Sequence, residues 1–304
     1  MNDITHKIFT RRKATAQATL TVSRPETITA IEDRQVPKGD IFEMSRAAGL
    51  LAIKKTSDVI PDCHPLPIEY AAIRSSIQGM EIHIEVEVHA IYRTGVEVEA
   101  MHGAAITALT MYDMLKPIDK GVEIGTIRLS DKKGGKSQFK DHIGLGLKAA
   151  VVVCSDSITA GSKSDKAGLA IRDHLAQWEV DVNHYSIIPD EPDAIRQTVG
   201  QMTGETDIDL LIFTGGTGLS PRDNTPETIR PLLDREIPGI MEAARAYGQD
   251  RTPYAMLSRG IAGMKGKTLI LTLPGSTNGA LETMDALFPY VLHIFKVAQG
   301  MRHD

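Results

Sequence analysis

The 304-residue chain has two cysteines, Cys63 and Cys154, and no C-x-x-C pair. So little cysteine excludes a disulfide framework and a typical zinc site, and it suits a reducing compartment. Long apolar runs are also missing. The longest, such as Ala149–Cys154, fall far short of the about 18 residues that a membrane span needs. No apolar segment follows the charged start (Asp3, Lys7, Arg11, Arg12, Lys13), so no signal peptide is expected and the expected location is the cytoplasm. A basic surplus is absent. The net charge is −5, which argues against nucleic acid as the main partner, because phosphate backbones are held by basic surfaces. Internal repeats and low-complexity tracts are lacking as well. What remains, 42% hydrophobic and 24% charged residues, is ordinary for a globular protein with a full core.

At roughly 100–200 residues per domain, the length suits two domains. Residues 1–147 carry 19 Lys+Arg against 19 Asp+Glu, and the remainder 15 against 20. The whole acidic surplus thus lies in the second half, as expected of two separately built units. Texture changes at the same place. A polar, glycine-rich stretch (Lys132-Lys133-Gly134-Gly135-Lys136-Ser137, then Gly144-Leu145-Gly146) gives way to the apolar run from Ala149. The boundary is placed at Leu147, giving domains 1–147 and 148–304 with a short linker.

The first domain reads as α+β. Ile41, Met44, Ala48, Leu51 and Ala52 share one face and predict a helix over 41–55. Glu81–Val88 alternates strictly and predicts an antiparallel strand over 81–92. Val96 and Val98 alternate with Glu97 and Glu99 as further extended chain. A helix from about Met101 to Lys116, stopped by Pro117, and a strand over 121–129 follow. The second domain alternates strands near 149–154, 182–188, 209–213 and 267–273 with helices near 165–178, 192–203, 226–235 and 278–298. Thr225-Pro226 reads as an N-cap and first helical residue. This alternation predicts a doubly wound parallel sheet.

In the first domain, Glu97 and Glu99 on an extended segment would share one face, either solvated or balanced by a ligand. Asp113 and Lys116 stand i, i+3 near a helix end, as a surface ion pair or as a proton-transfer pair. Prolines brace Cys63 and His64 in Pro61-Asp62-Cys63-His64-Pro65. Lys132, Lys133 and Lys136 around Gly134-Gly135 form either an anion-binding loop or a solvated charge run. No Walker A motif is present, because Ser130 occupies its first glycine position.

Lys38-Gly39-Asp40, Ile60-Pro61-Asp62-Cys63-His64-Pro65-Leu66, Thr94-Gly95-Val96-Glu97-Val98-Glu99-Ala100, Tyr112-Asp113-Met114-Leu115-Lys116 and Gly134-Gly135-Lys136-Ser137 occur in the order of the cyclic pyranopterin monophosphate synthase family, MoaC. The first half resembles that family over almost all of residues 1–146. The resemblance implies a ferredoxin-like α+β fold with no bound cofactor. It also implies conversion of 3′,8-cyclo-7,8-dihydro-GTP, supplied by a radical-SAM partner, to cyclic pyranopterin monophosphate with release of pyrophosphate. Carried over by position, Asp113 and Lys116 match the catalytic pair and Lys38 a further functional lysine. Cys63, His64 and Glu99 match substrate contacts, and Glu97, Lys132 and Arg12 match polar residues of the same pocket.

In the second domain, polar clusters follow the predicted strands: Ser155-Asp156-Ser157, Pro189-Asp190-Glu191, Thr214-Gly215-Gly216-Thr217-Gly218 and Pro274-Gly275-Ser276-Thr277. All would lie at the carboxyl ends of parallel strands, where such folds bind ligands. The glycine loop lets backbone N–H groups approach phosphates, or is simply a tight turn. Asp190 and Asp223 suit Mg²⁺, which binds through one or two carboxylates plus phosphates, or are turn residues. With Pro221-Arg222-Asp223-Asn224-Thr225-Pro226-Glu227, Asp234-Arg235-Glu236-Ile237-Pro238-Gly239 and Leu257-Ser258-Arg259, these segments resemble the MogA/MoaB family over most of residues 149–298. The resemblance implies binding of molybdopterin and its adenylylation from Mg-ATP. Asp190 and Asp223 match the aspartates required for catalysis. Asp156, Gly215, Gly216, Thr217, Gly218 and Ser276 match pterin or nucleotide contacts. Alternative roles in that family are non-catalytic molybdopterin binding and molybdate insertion. Both families form assemblies with threefold axes, so a homo-oligomer, as a hexamer, is expected.

Overall fold

A computed structural model describes residues 1–135, 144–204 and 206–298. The chain divides into two compact units, Met1–Gln138 and Phe139–Asp304. The stretch before Leu147 already belongs with the second unit. The Leu147 carbonyl accepts Asp181 N at 2.9 Å, and Gly144 lies against the Trp178 backbone.

The first unit runs β1 (Thr10–Thr21), α1 (Pro25–Glu32), α2 (Ile41–Lys54), α3 (Thr56–Val59), β2 (Tyr70–Gln78), β3 (Glu81–Tyr92), α4 (Glu97–Leu115) and β4 (Glu123–Lys133). Its sheet has the order β2-β3-β1-β4 with every pair antiparallel. This is the ferredoxin-like α+β arrangement that the resemblance implies. The inward face of β3 is Ile82, Ile84, Val86 and Val88. That of β1 is Ala14, Ala16, Ala18 and Leu20, and these small residues let α4 approach through Ala100, Ala104 and Ala108.

Two expectations fail at α4. The helix begins at Glu97, so Glu97 and Glu99 occupy its first turn and point to different sides instead of sharing a strand face. The helix thus starts four residues before the expected Met101, and Gly103 lies well inside it. A Cβ there would stand 2.6 Å from Ile53 Cγ1 and 3.2 Å from Val86 Cγ1, so the glycine is required by close packing. Lys132 and Lys133 belong to β4, paired with Ala14 and Lys13, and are not loop residues. Lys136 and Ser137 lie outside the described residues.

The second unit contains β5 (Lys148–Cys154), α5 (Asp156–Thr159), α6 (Ala167–Ala176), β6 (Asp181–Ile188), α7 (Pro192–Gly204), β7 (Leu210–Thr214), α8 (Thr225–Ile229), β8 (Arg235–Glu236), α9 (Pro238–Gln249), β9 (Ala262–Lys265), β10 (Thr268–Leu273), α10 (Thr277–Leu287) and α11 (Ile294–Ala298). The sheet order is β6-β5-β7-β10-β9-β8. The first four strands are parallel as expected, and β9 and β8 extend the sheet antiparallel. Ala150, Val152, Leu211, Phe213 and Ile270 form one core face with Ile195 and Val199 of α7 and Ile229 of α8. Helices α6, α9 and α10 pack together.

Here too some helices differ from expectation. The helix expected over 226–235 ends at Ile229, where the chain tightens through Pro231 into a 3₁₀ turn. Its N-cap is Asn224, and Thr225 is its first helical residue. The helix expected over 278–298 stops at Leu287, ahead of Pro289, and resumes as α11.

Candidate functional site

In the first unit, α4 carries one polar cluster at each end. At its C-terminal end the Asp113 carboxylate bridges two lysines. Lys38 Nζ is 2.6 Å from Oδ2 and Lys116 Nζ 2.8 Å from Oδ1, while Lys38 also donates to the Asp113 carbonyl at 2.9 Å. Hydrogen bonds from Lys116 and Lys38 hold Asp113 down to about 2, and Asp113 in turn raises Lys116. The group is therefore a charged carboxylate with two charged ammonium groups, all half-exposed and open to an anionic ligand.

At the N-terminal end, Glu99 is 2% exposed and its Oε1 accepts from the Cys63 thiol at 3.2 Å. Burial raises Glu99, and burial together with Glu99 pushes Cys63 up to about 12. Cys63 is thus a neutral donor and no thiolate nucleophile. The second Glu99 oxygen, Oε2, is buried without a hydrogen-bond partner. Glu97 folds over Gly95, with Oε1 3.4 Å from Lys132 Nζ. Arg12 donates to the carbonyls of Tyr92 and Arg93 at 3.1 and 3.3 Å, with Gly134-Gly135 against it. His64 is turned elsewhere, its Nε2 2.9 Å from the Asn2 carbonyl. His102, not singled out from sequence, sits one turn after Glu99 with Nδ1 3.1 Å from Thr56 Oγ1. Fourteen residues of α4 separate Glu99 from Asp113, or about 21 Å at 1.5 Å per residue. One copy of the chain does not bring the two clusters together.

In the second unit the four predicted clusters do meet at the carboxyl ends of β5, β6, β7 and β10. Asp156 and Asp190 lock reciprocally. Asp156 N donates to Asp190 Oδ2 at 3.2 Å, and Asp190 N to Asp156 Oδ1 at 3.0 Å. Gly215 and Gly216 adopt φ of 105° and 63°, which only glycine takes without strain. A Cβ on Gly216 would come 3.3 Å from Asp190 Oδ1, and one on Gly218 would come 2.9 Å from Asp223 Oδ2. Both aspartates therefore border the glycine loop. A Cβ on Gly275 would stand 3.1 Å from Gly215 Cα, and Ser276 caps α10 by accepting Gly279 N at 3.3 Å. A cavity of about 540 Å³ opens here, walled by Ser155, Lys163, Lys166, Gly215, Gly216 and Ser276.

Two arginines within the quoted motifs escape the sequence reading as site residues. Arg222 spans Asp156 and Glu191 at 2.5 and 2.9 Å. Arg259 donates to the Gly218 carbonyl at 2.7 Å, to the Asp223 carbonyl and to Glu227, and its N–H binds the Thr217 carbonyl at 3.2 Å. Arg259 thereby fixes both the loop and Asp223. Their signal is an arginine beside each acidic or glycine cluster.

Burial raises Asp190, with Asp156 and Asp223 adding like-charge repulsion, while its Oδ1 is buried without a hydrogen-bond partner. Among the described residues no group of three His, Cys, Asp or Glu forms a metal cage. A hard cation that takes one or two carboxylates and completes its shell with phosphate oxygens fits this donor set.

Residues 1–135 match the MoaC family, and residues 150–293 match the family described as probable molybdopterin binding domain. A molybdenum cofactor biosynthesis bifunctional protein of Chlorobaculum tepidum is 39% identical over 303 residues, covering 100% of this chain and 96% of its own length. A cyclic pyranopterin monophosphate synthase of Thermomicrobium roseum is 41% identical over 139 residues, 45% of this chain and 83% of its own. The molybdopterin biosynthesis enzyme MoaB of Thermus thermophilus is 42% identical with a TM-score of 0.49, over 52% of this chain and 99% of that one.

Proposed function

Since the chain belongs to the family of molybdenum cofactor biosynthesis bifunctional proteins, we propose that its units catalyse two separate steps of that synthesis. The first unit is a MoaC-type cyclic pyranopterin monophosphate synthase. Its substrate is the cyclised GTP intermediate delivered by a radical-SAM enzyme. Opening a purine ring and closing a pterin needs several proton transfers, and departure of pyrophosphate needs cations. Asp113, held near 2, stays ionised and orients Lys116, the proton donor, while Lys38 offsets phosphate charge. Glu99 and the Cys63 thiol form the buried proton-holding end, with Glu97, Lys132 and Arg12 bordering it.

The separation of these ends along α4 supports a site built from the C-terminal end of α4 in one copy and the N-terminal end in another. A homo-oligomer, as a hexamer, is the assembly that fits this reading. Asp113→Ala is expected to lose at least about 100-fold in pterin formation, as for a misplaced proton donor, without loss of second-unit activity. An unaffected rate sinks the assignment.

The second unit adenylylates molybdopterin. A molybdopterin phosphate oxygen attacks the α-phosphorus of ATP, forming the phosphoanhydride bond as pyrophosphate leaves. The observation that carries this reading is the buried, unpartnered Asp190 Oδ1 at the rim of the glycine loop. Asp190 and Asp223 would hold Mg²⁺, which neutralises triphosphate charge when bound. Asp156, Gly215, Gly216, Thr217, Gly218 and Ser276 align the phosphates, with loop N–H groups facing the charge that develops in transfer. The test is pyrophosphate release from Mg-ATP and molybdopterin. Release by the wild type that collapses in Asp223→Asn supports two enzymes in one chain. Tight molybdopterin binding without release would make the second unit a carrier instead.

A further inference from the structure

His102 stands one turn after Glu99 on α4, so the two side chains are neighbours on the helix surface. Its Nδ1 is 3.1 Å from the hydroxyl of the buried Thr56. That hydroxyl also lies 3.1 Å from the Ala52 and Ile53 carbonyls at the end of α2. Carbonyls only accept, and a hydroxyl has a single proton. The proton goes to one of these carbonyls, so the imidazole donates through Nδ1 and its Nε2 holds the lone pair. Thr56 also roots the segment that leads to Cys63. Its carbonyl accepts Ile60 N at 2.9 Å, and the Ile60 carbonyl accepts Cys63 N at 3.0 Å. The Cys63 thiol then donates to Glu99 Oε1 at 3.2 Å. The segment 56–63 is thus pinned to α4 twice, at its root by His102 and at its tip by Glu99. Residues 58–62 between the pins are exposed, so core packing does not hold them.

We propose that His102 is a positioning residue of the first site: by holding Thr56 it fixes the segment that carries Cys63, and through Cys63 it aims the Glu99 carboxyl. The kinetic consequence rests on the reading of the first unit as the pterin-forming one, whereas the placement of Cys63 does not. Among the described residues, the thiol is the one side-chain partner of Glu99, whose other oxygen has none. The aim of this carboxyl therefore follows the position of Cys63. Without the Nδ1–H donor the root of the segment is free to shift, and Cys63 moves with it away from Glu99. A displacement of about 1 Å at a proton-holding group is enough to slow the chemistry up to about 100-fold.

The test compares the full-length protein with its His102→Leu, His102→Asn and Thr56→Val variants. Leucine keeps the bulk and removes the N–H, while asparagine sets an amide N–H where Nδ1 stands. One readout is the rate at which iodoacetamide alkylates Cys63, located by peptide mass; the buried Cys154 stays silent. The other is kcat and KM of pterin formation. His102→Leu and Thr56→Val are each expected to raise Cys63 labelling about 10-fold, as the thiol leaves Glu99. Their kcat should fall about 10- to 100-fold with KM within about twofold. His102→Asn should restore both readouts to within about threefold. Gly103→Ala, which overpacks the same helix, sets the level that lost stability alone produces. Labelling in His102→Leu that stays at the wild-type or Gly103→Ala level would overturn the proposal, as would asparagine that fails to restore it. Should His102→Leu not fold, Thr56→Val decides, and wild-type labelling there overturns the proposal as well. A wild type that follows this labelling pattern yet forms no pterin would bring down the reading of the first unit and leave the role of His102 standing.

Discussion

Asp119 fastens the end of the first unit where α4 gives way to β4. It is 1% exposed and accepts four hydrogen bonds. Ser23 N and Thr27 Oγ1 reach Oδ2 at 2.8 and 2.9 Å, while Gly121 N at 3.0 Å and the Ser23 hydroxyl reach Oδ1. Burial alone would raise this carboxyl, but the bonds from Ser23, Gly121 and Thr27 outweigh it and hold it at about 2. A folded-state value below the ordinary 3.8 means that the stabilisation is complete above about 4 and is lost as pH falls toward 2. Asp119→Ala is therefore expected to cost about 2–3 kcal/mol at pH 7 and less at pH 3. Urea unfolding at the two pH values checks this, and an equal cost at both would contradict it. Asp119 was not legible in the sequence, because three of its four hydrogen bonds come from Ser23 and Thr27, far away in the chain. Asp113 and Lys116 were legible because one helical turn joins them. Arg222 and Arg259 escaped because each acts by binding groups distant in the chain.

At the scale of elements, α4 depends on two glycines. Gly103 faces Ile53 and Val86, and Gly49 of α2 faces Ile73 and the Gly103 carbonyl, at 2.6 and 3.2 Å from a built Cβ. Ile53 and Val86 are fully enclosed and have little room to yield. Gly103→Ala should thus destabilise by about 1–3 kcal/mol, the overpacking cost exceeding alanine's helical advantage of about 1 kcal/mol. Gly200, in α7, is the control: nothing lies within 4 Å of its Cβ position. Gly200→Ala should stabilise by about 0.5–1 kcal/mol. Thermal melts of the pair check the contrast, and a shift of both in one direction would refute the packing argument.

The same packing explains which elements could be read from the sequence. Strand β3 alternates Glu and His with Ile and Val, so its two faces contrast sharply. Strand β1 alternates Thr, Gln and Lys with alanine, which is small because α4 lies close above it, so the contrast fades. Helix α4 hid its first turn because Val-Glu-Val-Glu carries strand periodicity until tertiary packing decides. Helix α9 follows a two-residue edge strand, in a stretch to which the sequence pattern assigns no element.

At the scale of the whole molecule, the division into two units was visible as a change of charge and texture, since each half must bury its own core. That the first site forms between subunits is what the family resemblance implies, and the structure supplies a physical reason, since a rigid helix holds Asp113 about 21 Å from Glu99. A site joining opposite ends of α4 requires two copies, and closed symmetry supplies them. Suppose Asp113→Ala and Glu99→Ala chains are each inactive in pterin formation. Dissociated, mixed in equal amounts and reassembled, they should regain about a quarter of wild-type activity, the share of shared sites whose two halves are both intact. Mixing without subunit exchange should give nothing, which separates complementation from residual activity. If each chain held a complete site, exchange could not repair either variant. Absence of recovery after verified exchange would therefore return the site to a single copy and require α4 to be bypassed by some other approach of its two ends.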